Sequence, residues 1–159
     1  MKVGFYAGSF DPFTIGHLEV LKKACLLFDK VVIGIGINPD KQRRFSESEM
    51  KVAIEKVLKR ENLTNTDVVI YQGLTTDTAR EYKTLFLVRG IRNRMDYDYE
   101  ENLGNINENI SGLDTIFVRA GKFGFVSSSM VYEIFKNGKD ILKYVPIEIL
   151  EIMQNNGKI

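Results

Sequence analysis

Three stretches of this 159-residue chain combine residue types that suit chemistry on a phosphate group. The first runs from Gly8 to Gly16 and ends at His17, the only histidine in the sequence. Its glycines let the backbone approach an anion, and the imidazole adds a polar group where a helix is predicted to begin. The second is Arg89-Gly90-Ile91-Arg92, and the third is Ser127-Ser128-Ser129, which predicts a capped helix start. Together they indicate a nucleotide site.

Each stretch also has a purely structural explanation. The glycine spacing matches neither the Gly-x-Gly-x-x-Gly fingerprint of dinucleotide sites nor the Gly-Lys-Ser/Thr ending of a P-loop. The serines can serve as a helix cap, although three successive hydroxyls exceed what a cap requires. We favour a functional role for Arg89 and Arg92, because they flank a glycine just beyond a predicted buried strand, where backbone and side chains can share one anion.

A basic loop, Asn38 to Arg44, adds local cations to a chain whose charges almost balance. Lysine offers a mobile point charge to phosphate, so Lys41 is a candidate ligand. For Arg43 and Arg44 we prefer solvated positions or surface ion pairs, which contribute less than about 1 kcal/mol each.

The sequence disfavours two other kinds of catalysis. Ser9 and His17 lack an identifiable third group to orient the imidazole, so a covalent intermediate is not favoured. One histidine and one cysteine do not supply the usual ligands of a zinc site, and Cys25 has the helical spacing of a core residue. The cations, glycine-rich turns and single imidazole suit transfer of a phosphorus group between bound substrates, which depends on positioning and charge stabilisation.

Composition narrows the class of protein. The 22 basic and 21 acidic residues create no net field that would attract nucleic acid or an anionic membrane. The longest apolar stretch, residues 31–37, is far shorter than the roughly 20 residues that span a bilayer. The N-terminus also lacks the features of a signal peptide. We therefore expect a single cytoplasmic domain over residues 1–159, with neither a nucleic-acid nor a membrane partner.

Hydrophobic periodicity alternates between strand and helix along the chain. Strands are predicted at 2–6, 30–37, 68–71, 84–88 and 115–119. Helices are predicted at 18–28, 46–59, 75–82, 97–110, 130–136 and 147–153. This pattern indicates an α/β protein with a doubly wound five-stranded parallel sheet. Such sheets bind ligands at the strand carboxyl ends where strand order reverses, so the polar stretches should converge on one crevice.

The motifs resemble those of the bacterial phosphopantetheine adenylyltransferases. The likeness covers nearly the whole chain and rests on Gly8-Ser9-Phe10-Asp11-Pro12, Thr14-Ile15-Gly16-His17, Arg89-Gly90-Ile91-Arg92, Asp96-Tyr97-Asp98-Tyr99-Glu100 and Val126-Ser127-Ser128-Ser129. It implies a Rossmann-like nucleotidyltransferase fold and an enzyme of coenzyme A biosynthesis. The implied reaction transfers the adenylyl group of ATP to 4′-phosphopantetheine by direct in-line displacement, giving dephospho-coenzyme A and pyrophosphate.

The resemblance also implies roles for individual residues. His17, Lys41 and Arg89 would be catalytic, with His17 on the α-phosphate of ATP. The acceptor, 4′-phosphopantetheine, would contact Ser9, Lys41, Thr75 and Arg89. The ATP site would be formed by Ser9, Phe10, His17, Gly90, Ile91, Arg92, Glu100, Phe123, Gly124, Phe125, Val126, Ser127, Ser128 and Ser129.

The same resemblance implies a magnesium ion and a homohexamer. Mg²⁺ would be held mainly by the nucleotide phosphates, with no dedicated metal site on the protein. Ala7, Ile15 and Tyr132 depart from the usual pattern. Tyr132 stands where a lysine or arginine is common, a loss that Lys122 or Lys136 could compensate.

Two alternatives stay open. A related nucleotidyltransferase with another acceptor, such as nicotinamide mononucleotide or glycerol 3-phosphate, would have the same sheet and the same histidine. A non-catalytic adenine-nucleotide-binding protein would keep the crevice without turnover.

Overall fold

The computed structural model describes residues 1–156, which alternate between strands and helices. The strands are β1 (Val3–Gly8), β2 (Lys30–Ile37), β3 (Thr66–Gln72), β4 (Phe86–Ile91) and β5 (Thr115–Arg119). The helices are α1 (Ile15–Leu27), α2 (Glu47–Arg60), α3 (Thr75–Glu81), α4 (Arg94–Ser111), α5 (Ser128–Lys136) and α6 (Ile147–Asn156), with a 3₁₀ turn at Gly121–Phe123. None of the helices within residues 1–156 has both the length and the apolar character needed to cross a membrane.

The five strands form one parallel sheet in the order β3-β2-β1-β4-β5. The predicted doubly wound, Rossmann-like sheet is therefore confirmed. Strand order reverses between β1 and β4. From β1 the sheet continues through β2 to β3, and from β4 it continues in the opposite direction to β5. This is the edge at which a ligand crevice is expected.

Apolar side chains cover both faces of the sheet, as a parallel sheet requires. Phe5 and Tyr6 are adjacent in β1 and enter different core clusters, one on each face. Gly34 in β2 makes room for this packing, because a Cβ atom there would lie 2.4 Å from the Phe5 ring. The face that carries α1, α2, α5 and α6 holds the larger core.

Several element boundaries differ from the predicted ones in ways that matter for the site. β2 and β5 have the predicted bounds. β4 does not end at residue 88 but continues through Arg89 to Ile91, because Arg89 and Gly90 pair with Phe117 and Val118 of β5. α1 begins three residues earlier than predicted, because Thr14 caps it.

Candidate active site

A cavity lies where β1 and β4 separate. The first turns of α1 and α5 also border it, so unpaired backbone N–H groups and the positive ends of two helix dipoles face the same space. The predicted site residues that line this cavity are Ser9, Phe10, His17, Arg89, Gly90, Arg92, Glu100, Val126, Ser127, Ser128 and Ser129. We call it the main cavity.

His17 is held by a reciprocal cap at the start of α1. The Thr14 backbone N–H donates to Nδ1 of His17 over 2.9 Å, and the His17 backbone N–H donates to Oγ1 of Thr14 over 3.3 Å. This is a capping box in which histidine occupies the position usually taken by Glu or Gln. The Thr-x-x-His spacing therefore has a local structural cause, which was not predicted.

The cap fixes the tautomer of the imidazole, and burial keeps the ring uncharged. Nδ1 accepts a hydrogen bond, so in the neutral ring the proton lies on Nε2. Burial, reinforced by the positive charges of Arg92 and Arg89, lowers the pKa of His17 to about 3. The ring is therefore neutral at ordinary pH, and its Nε2–H can donate a hydrogen bond to a ligand oxygen.

The turn after β1 is fixed by aromatic packing. Phe10 has a left-handed backbone with φ of 47°, which is uncommon for a residue other than glycine. The residue is 1% exposed, and its ring packs edge-on against Tyr6 and His17, with centroid distances of 5.2 and 5.0 Å. Phe10 is therefore a buried part of the wall of the main cavity.

Arg89 is joined to a buried carboxylate. Its Nε and Nη2 donate to the two oxygens of Glu100 over 2.8 and 2.7 Å, and its Nη1 donates to the Ala7 carbonyl over 2.7 Å. Hydrogen bonds to Glu100 raise the pKa of Arg89 against the opposing effect of burial. These contacts leave one N–H bond on each Nη atom for a ligand.

Arg92 has an equivalent partner at the start of α4. Its Nε and Nη2 donate to the carboxylate of Asp96 over 2.8 and 3.1 Å, and its backbone N–H donates to the same group. The two arginines predicted to share one anion are thus each paired with a carboxylate. Their side chains are held in place, and part of their charge is neutralised.

The three serines each have a structural partner. Ser127 caps α5 by accepting from the Met130 N–H, as predicted. Ser128 donates to the Pro12 carbonyl over 2.8 Å, and Ser129 accepts from Nη2 of Arg44 over 3.3 Å. The serine run therefore ties the start of α5 to the turn after β1 while it lines the main cavity.

A second cavity adjoins the first at the carboxyl ends of β1, β2 and β3. It is lined by Gly8, Ser9, Gly36, Ile37, Asn38, Pro39, Tyr71, Gly73 and Arg89. Thr75 lies beside this second cavity, because its hydroxyl is hydrogen-bonded to that of Tyr71 over 2.8 Å. Gly8, Ser9 and Arg89 line both cavities. Two ligands bound side by side would therefore meet at these residues.

Some predicted site residues lie outside both cavities. Lys41 is exposed on the loop after β2 and lines neither cavity, although Asn38 and Pro39 of the same loop line the second. The single crevice expected from the four stretches is in fact two adjoining cavities. Ile91 faces a third depression, beside Tyr97 and Phe117.

The 3₁₀ segment before α5 contributes less to the cavity than predicted. Of Phe123 to Val126, only Val126 lines the main cavity. Gly124 packs near the Arg92 backbone, and the Phe125 ring is 64% exposed beside Tyr144.

The expectation of a solvated position is wrong for Arg43, whereas Arg44 is exposed as expected and still forms bonds across the loop. The Arg43 side chain is only 14% exposed, and it donates from Nη1 to the Ser9 carbonyl over 2.7 Å. Arg44 donates to the Asp11 carbonyl and to Ser129. Both arginines hold the turn after β1, a long-range contact that local charge patterns do not reveal.

Cations remain close to Tyr132. The guanidinium of Arg44 lies 4.9 Å from the centre of its ring, and Nζ of Lys136 lies at 5.4 Å. Lys136, one of the two lysines expected to compensate, is thus close to this position, whereas Lys122 lies over Phe123 instead. Arg44 was not predicted to supply a cation close to Tyr132.

Comparison with known proteins agrees with this geometry. The family described as cytidylyltransferase-like matches residues 5–134. The chain belongs to this family. The match spans all five strands and ends inside α5, so it includes every residue that lines the main cavity.

Relatives within the cytidylyltransferase-like family narrow the assignment. The phosphopantetheine adenylyltransferase of Streptococcus pneumoniae (strain Taiwan19F-14) is 40% identical over 160 residues, which cover 99% of this chain and 98% of the relative. Those of Lachnoclostridium phytofermentans and Flavobacterium johnsoniae are 38% and 37% identical, covering 99% and 92% of this chain and 98% and 95% of the relatives. The resemblance inferred from the motifs is confirmed.

A solved structure shares the fold of this cytidylyltransferase-like chain at lower identity. A putative nicotinate-nucleotide adenylyltransferase from Vibrio parahaemolyticus superimposes with a TM-score of 0.71 and 17% identity, covering 98% of this chain and 93% of that one. This likeness shows the fold alone.

Proposed function

We propose that this chain transfers the adenylyl group of ATP to the phosphate of 4′-phosphopantetheine, with ATP in the main cavity and the acceptor in the second. Membership among the phosphopantetheine adenylyltransferases supports the reaction. The observation that carries the placement is that the two cavities meet at Ser9 and Arg89, beside the fixed imidazole of His17.

The proposed chemistry is a direct displacement at the α-phosphorus of ATP. An oxygen of the acceptor phosphate forms a bond to that phosphorus while the bond to the bridging oxygen breaks, and pyrophosphate leaves with the electron pair. The Nε2–H of neutral His17 would donate to an α-phosphate oxygen as negative charge builds up in the transition state. No side chain is needed as a nucleophile, because positioning and charge stabilisation account for the rate.

The ATP phosphates would lie among fixed donors. The first turn of α5 offers N–H groups beside Ser127 to Ser129, and Arg92 offers donors that Asp96 does not use. Gly90 lies in the wall near Val20, where a Cβ atom would come within 3.0 Å of a methyl group. A larger residue there would disturb the α1 contact behind the nucleotide.

The acceptor would approach from the β2–β3 side. Its phosphate would reach Ser9 and Arg89, with Lys41 closing over it from the exposed loop, and its pantetheine arm would pass Tyr71 and Thr75. Lys41 needs no fixed partner for this role, because its long flexible stem can follow the substrate.

Magnesium would enter with the nucleotide. Within residues 1–156 there is no group of three or more His, Cys, Asp or Glu side chains placed to hold a metal ion. The two carboxylates that line the main cavity, Asp96 and Glu100, are engaged by Arg92 and Arg89. The residues present therefore fit an ion carried by the phosphates better than one held in a protein cage. Bound in that way, Mg²⁺ neutralises charge on the leaving pyrophosphate.

The proposal also includes the domain organisation, the cellular location and the oligomeric state. We infer one nucleotidyltransferase domain over residues 1–159, a cytoplasmic location and a homohexamer. Apolar side chains exposed along α4, including Met95 at 83% and Ile106 at 58%, support self-association. Light scattering on the purified protein tests the hexamer, and a monomer at working concentration would contradict it.

A pyrophosphate-release assay tests the reaction. ATP and 4′-phosphopantetheine should together give pyrophosphate and dephospho-coenzyme A in equal amounts. Nicotinamide mononucleotide, or glycerol 3-phosphate with CTP, should give none. Turnover with either of those instead would assign a different acceptor, and ATP binding without product would indicate a non-catalytic protein.

A further inference from the structure

Arg43 is a buried cation that the proposed reaction does not use. Its side chain is 14% exposed, it follows β2, and it lines neither cavity. Burying a guanidinium is costly unless its donors are satisfied. Nη2 of Arg43 has no hydrogen-bond partner and lies 3.8 Å from the Asp11 carboxylate, so the bonds of Nε and Nη1 indicate why the residue is there.

One of the two hydrogen-bond partners of Arg43 belongs to the turn after β1, and the other to its own loop. Nη1 of Arg43 donates to the Ser9 carbonyl over 2.7 Å, and Nε donates to the Phe45 carbonyl over 2.9 Å. In return, the carboxylate of Asp11 accepts from the backbone N–H groups of Arg44 and Phe45 over 2.8 and 2.9 Å. The loop after β2 and the turn after β1 are thus bonded in both directions.

The bond to Ser9 determines how the next peptide group points. In a trans peptide the carbonyl and the N–H point in opposite directions, so a Ser9 carbonyl held toward Arg43 directs the Phe10 N–H the other way. Within residues 1–156 that N–H donates to no protein acceptor. Phe10 borders the main cavity and is 1% exposed as a whole residue, so this N–H is an unpaired donor in the cavity wall, not one solvated by bulk water.

We propose that Arg43 is a positioning residue that orients the Ser9–Phe10 peptide, so that the Phe10 N–H binds a phosphate oxygen of the nucleotide. The left-handed backbone at Phe10, with φ of 47°, is uncommon and needs support from its surroundings. Ring packing holds the side chain, and Arg43 holds the carbonyl. This inference rests on the proposed function, because it takes the main cavity to be the nucleotide site.

The test compares the binding of ATP and of adenosine, which lacks the phosphates, to Arg43→Met by calorimetry. Met keeps the apolar stem but removes both hydrogen bonds and the ion-pair contacts to Asp11 and Glu47 at 3.8 Å. The bonds from the Arg44 and Phe45 backbone to Asp11 remain. We expect ATP affinity to fall about tenfold, the factor that corresponds to one hydrogen bond to a charged group, with adenosine affinity unchanged. Arg43→Lys can still reach a single carbonyl and should recover part of the ATP affinity.

Arg60→Met is the matched control, because Arg60 makes a two-bond ion pair with Glu148 on the surface away from both cavities. It should leave the ratio of the two affinities unaltered. An equal loss for ATP and adenosine in the Arg43 variants, or no loss for either, would overturn the proposal. If Arg43→Met fails to fold, the same ratio is measured on Arg43→Leu, which also removes the bond to Ser9 and where an unaltered value has the same meaning.

The two proposals can fail separately. A wild-type protein that binds ATP and does not adenylylate phosphopantetheine contradicts the function and leaves the affinity ratio to be measured. A protein that makes dephospho-coenzyme A normally, with a wild-type ratio in both Arg43 variants, contradicts only the positioning role.

Discussion

The walls of the main cavity and the loop that carries Lys41 are built in different ways. Around the main cavity the polar side chains are fixed by protein partners: His17 by Thr14, Arg92 by Asp96 and Ser129 by Arg44. Beside the second cavity, the ammonium of Lys41 makes no hydrogen bond or ion pair with the part of the chain that the structure describes, residues 1–156, and the residue is exposed.

This difference matches the different demands of the two substrates. Groups that stabilise a transition state work best when they are already in place, because they then need no reorganisation during the reaction. A cation that captures an incoming phosphate can instead remain adjustable and move with the acceptor. We therefore expect changes in the main cavity to lower kcat, and changes on the acceptor side to raise the KM for phosphopantetheine.

The largest effect should come from His17→Ala. Removing the Nε2–H donor should lower kcat on the order of 100-fold or more, the scale for loss of one transition-state donor. The variant should still fold, with a loss of about 1 kcal/mol because the Thr14 N–H loses its cap partner. Steady-state kinetics and urea unfolding measure the two effects.

His17→Gln separates the cap from the chemistry. Glutamine is a normal capping-box residue and can accept from the Thr14 N–H, so its unfolding free energy should stay close to that of the wild type. Its kcat should nevertheless fall, because its amide does not reproduce the ring's Nε2–H position. A Gln variant with wild-type kcat would show that the imidazole only caps α1.

Arg89→Lys should have the next largest effect, and it should act on both substrates. Lysine cannot keep two parallel bonds to Glu100 together with the bond to Ala7, so the geometry at the junction of the cavities is lost. We expect kcat/KM for ATP and for phosphopantetheine each to fall roughly tenfold or more, and the unfolding free energy to fall by about 1–3 kcal/mol.

Arg60→Lys provides the comparison, because Arg60 makes a similar two-bond contact with Glu148 on the surface. It should change neither kinetic constant. A loss confined to phosphopantetheine in Arg89→Lys would show that Arg89 belongs to the acceptor side alone.

The fold and the location of the site could be predicted from local patterns. Continuous apolar runs predicted β2 and β5 with their observed bounds, and strands that alternate with helices predicted the parallel sheet. The carboxyl ends of β1 and β4 then had to frame a ligand site.

The partners of the charged residues could not be predicted in the same way. Arg89 and Glu100 are eleven residues apart, and Arg43 and Ser9 are thirty-four apart, so neither pair has a local periodicity. The prediction for Arg43 was wrong for this reason, since a basic loop looks the same in sequence whether it is solvated or packed under a turn. The Thr14–His17 cap, by contrast, has a recognisable spacing and could have been found.

Lys41→Ala should have a smaller and more selective effect. We expect the KM for phosphopantetheine to rise about tenfold, with ATP affinity and unfolding free energy unchanged, because Lys41 is exposed and its side chain makes no hydrogen bond or ion pair within residues 1–156. Lys56→Ala, which removes an exposed lysine from α2, is the control. A loss of kcat with no change in this KM would place Lys41 with the fixed groups.

The smallest effect on activity is expected from pH. The pKa of His17 is about 3, so the ring keeps the same protonation state from pH 8 down to pH 5. In that range the His17 ring should contribute no fall in kcat with a midpoint near 6.5, the ordinary histidine value. A fall centred there in the wild type, absent from His17→Gln when the remaining activity is followed, would show that the ring titrates normally in the enzyme.

Stability should depend on pH where activity does not. The pKa of His17 is lower in the folded than in the unfolded chain, so between about pH 6.5 and pH 3 the unfolded chain binds the extra proton. The contribution of His17 is therefore fully present above pH 6.5 and is lost as the pH falls, with a slope of at most about 1.4 kcal/mol per pH unit for one proton. Urea unfolding at pH 7 and at pH 5 should show a steeper loss in the wild type than in His17→Gln, which has no titrating ring. Equal losses would mean that the imidazole is not held neutral by its surroundings. His17 would then no longer belong to the fixed groups that distinguish the nucleotide side from the adjustable acceptor side.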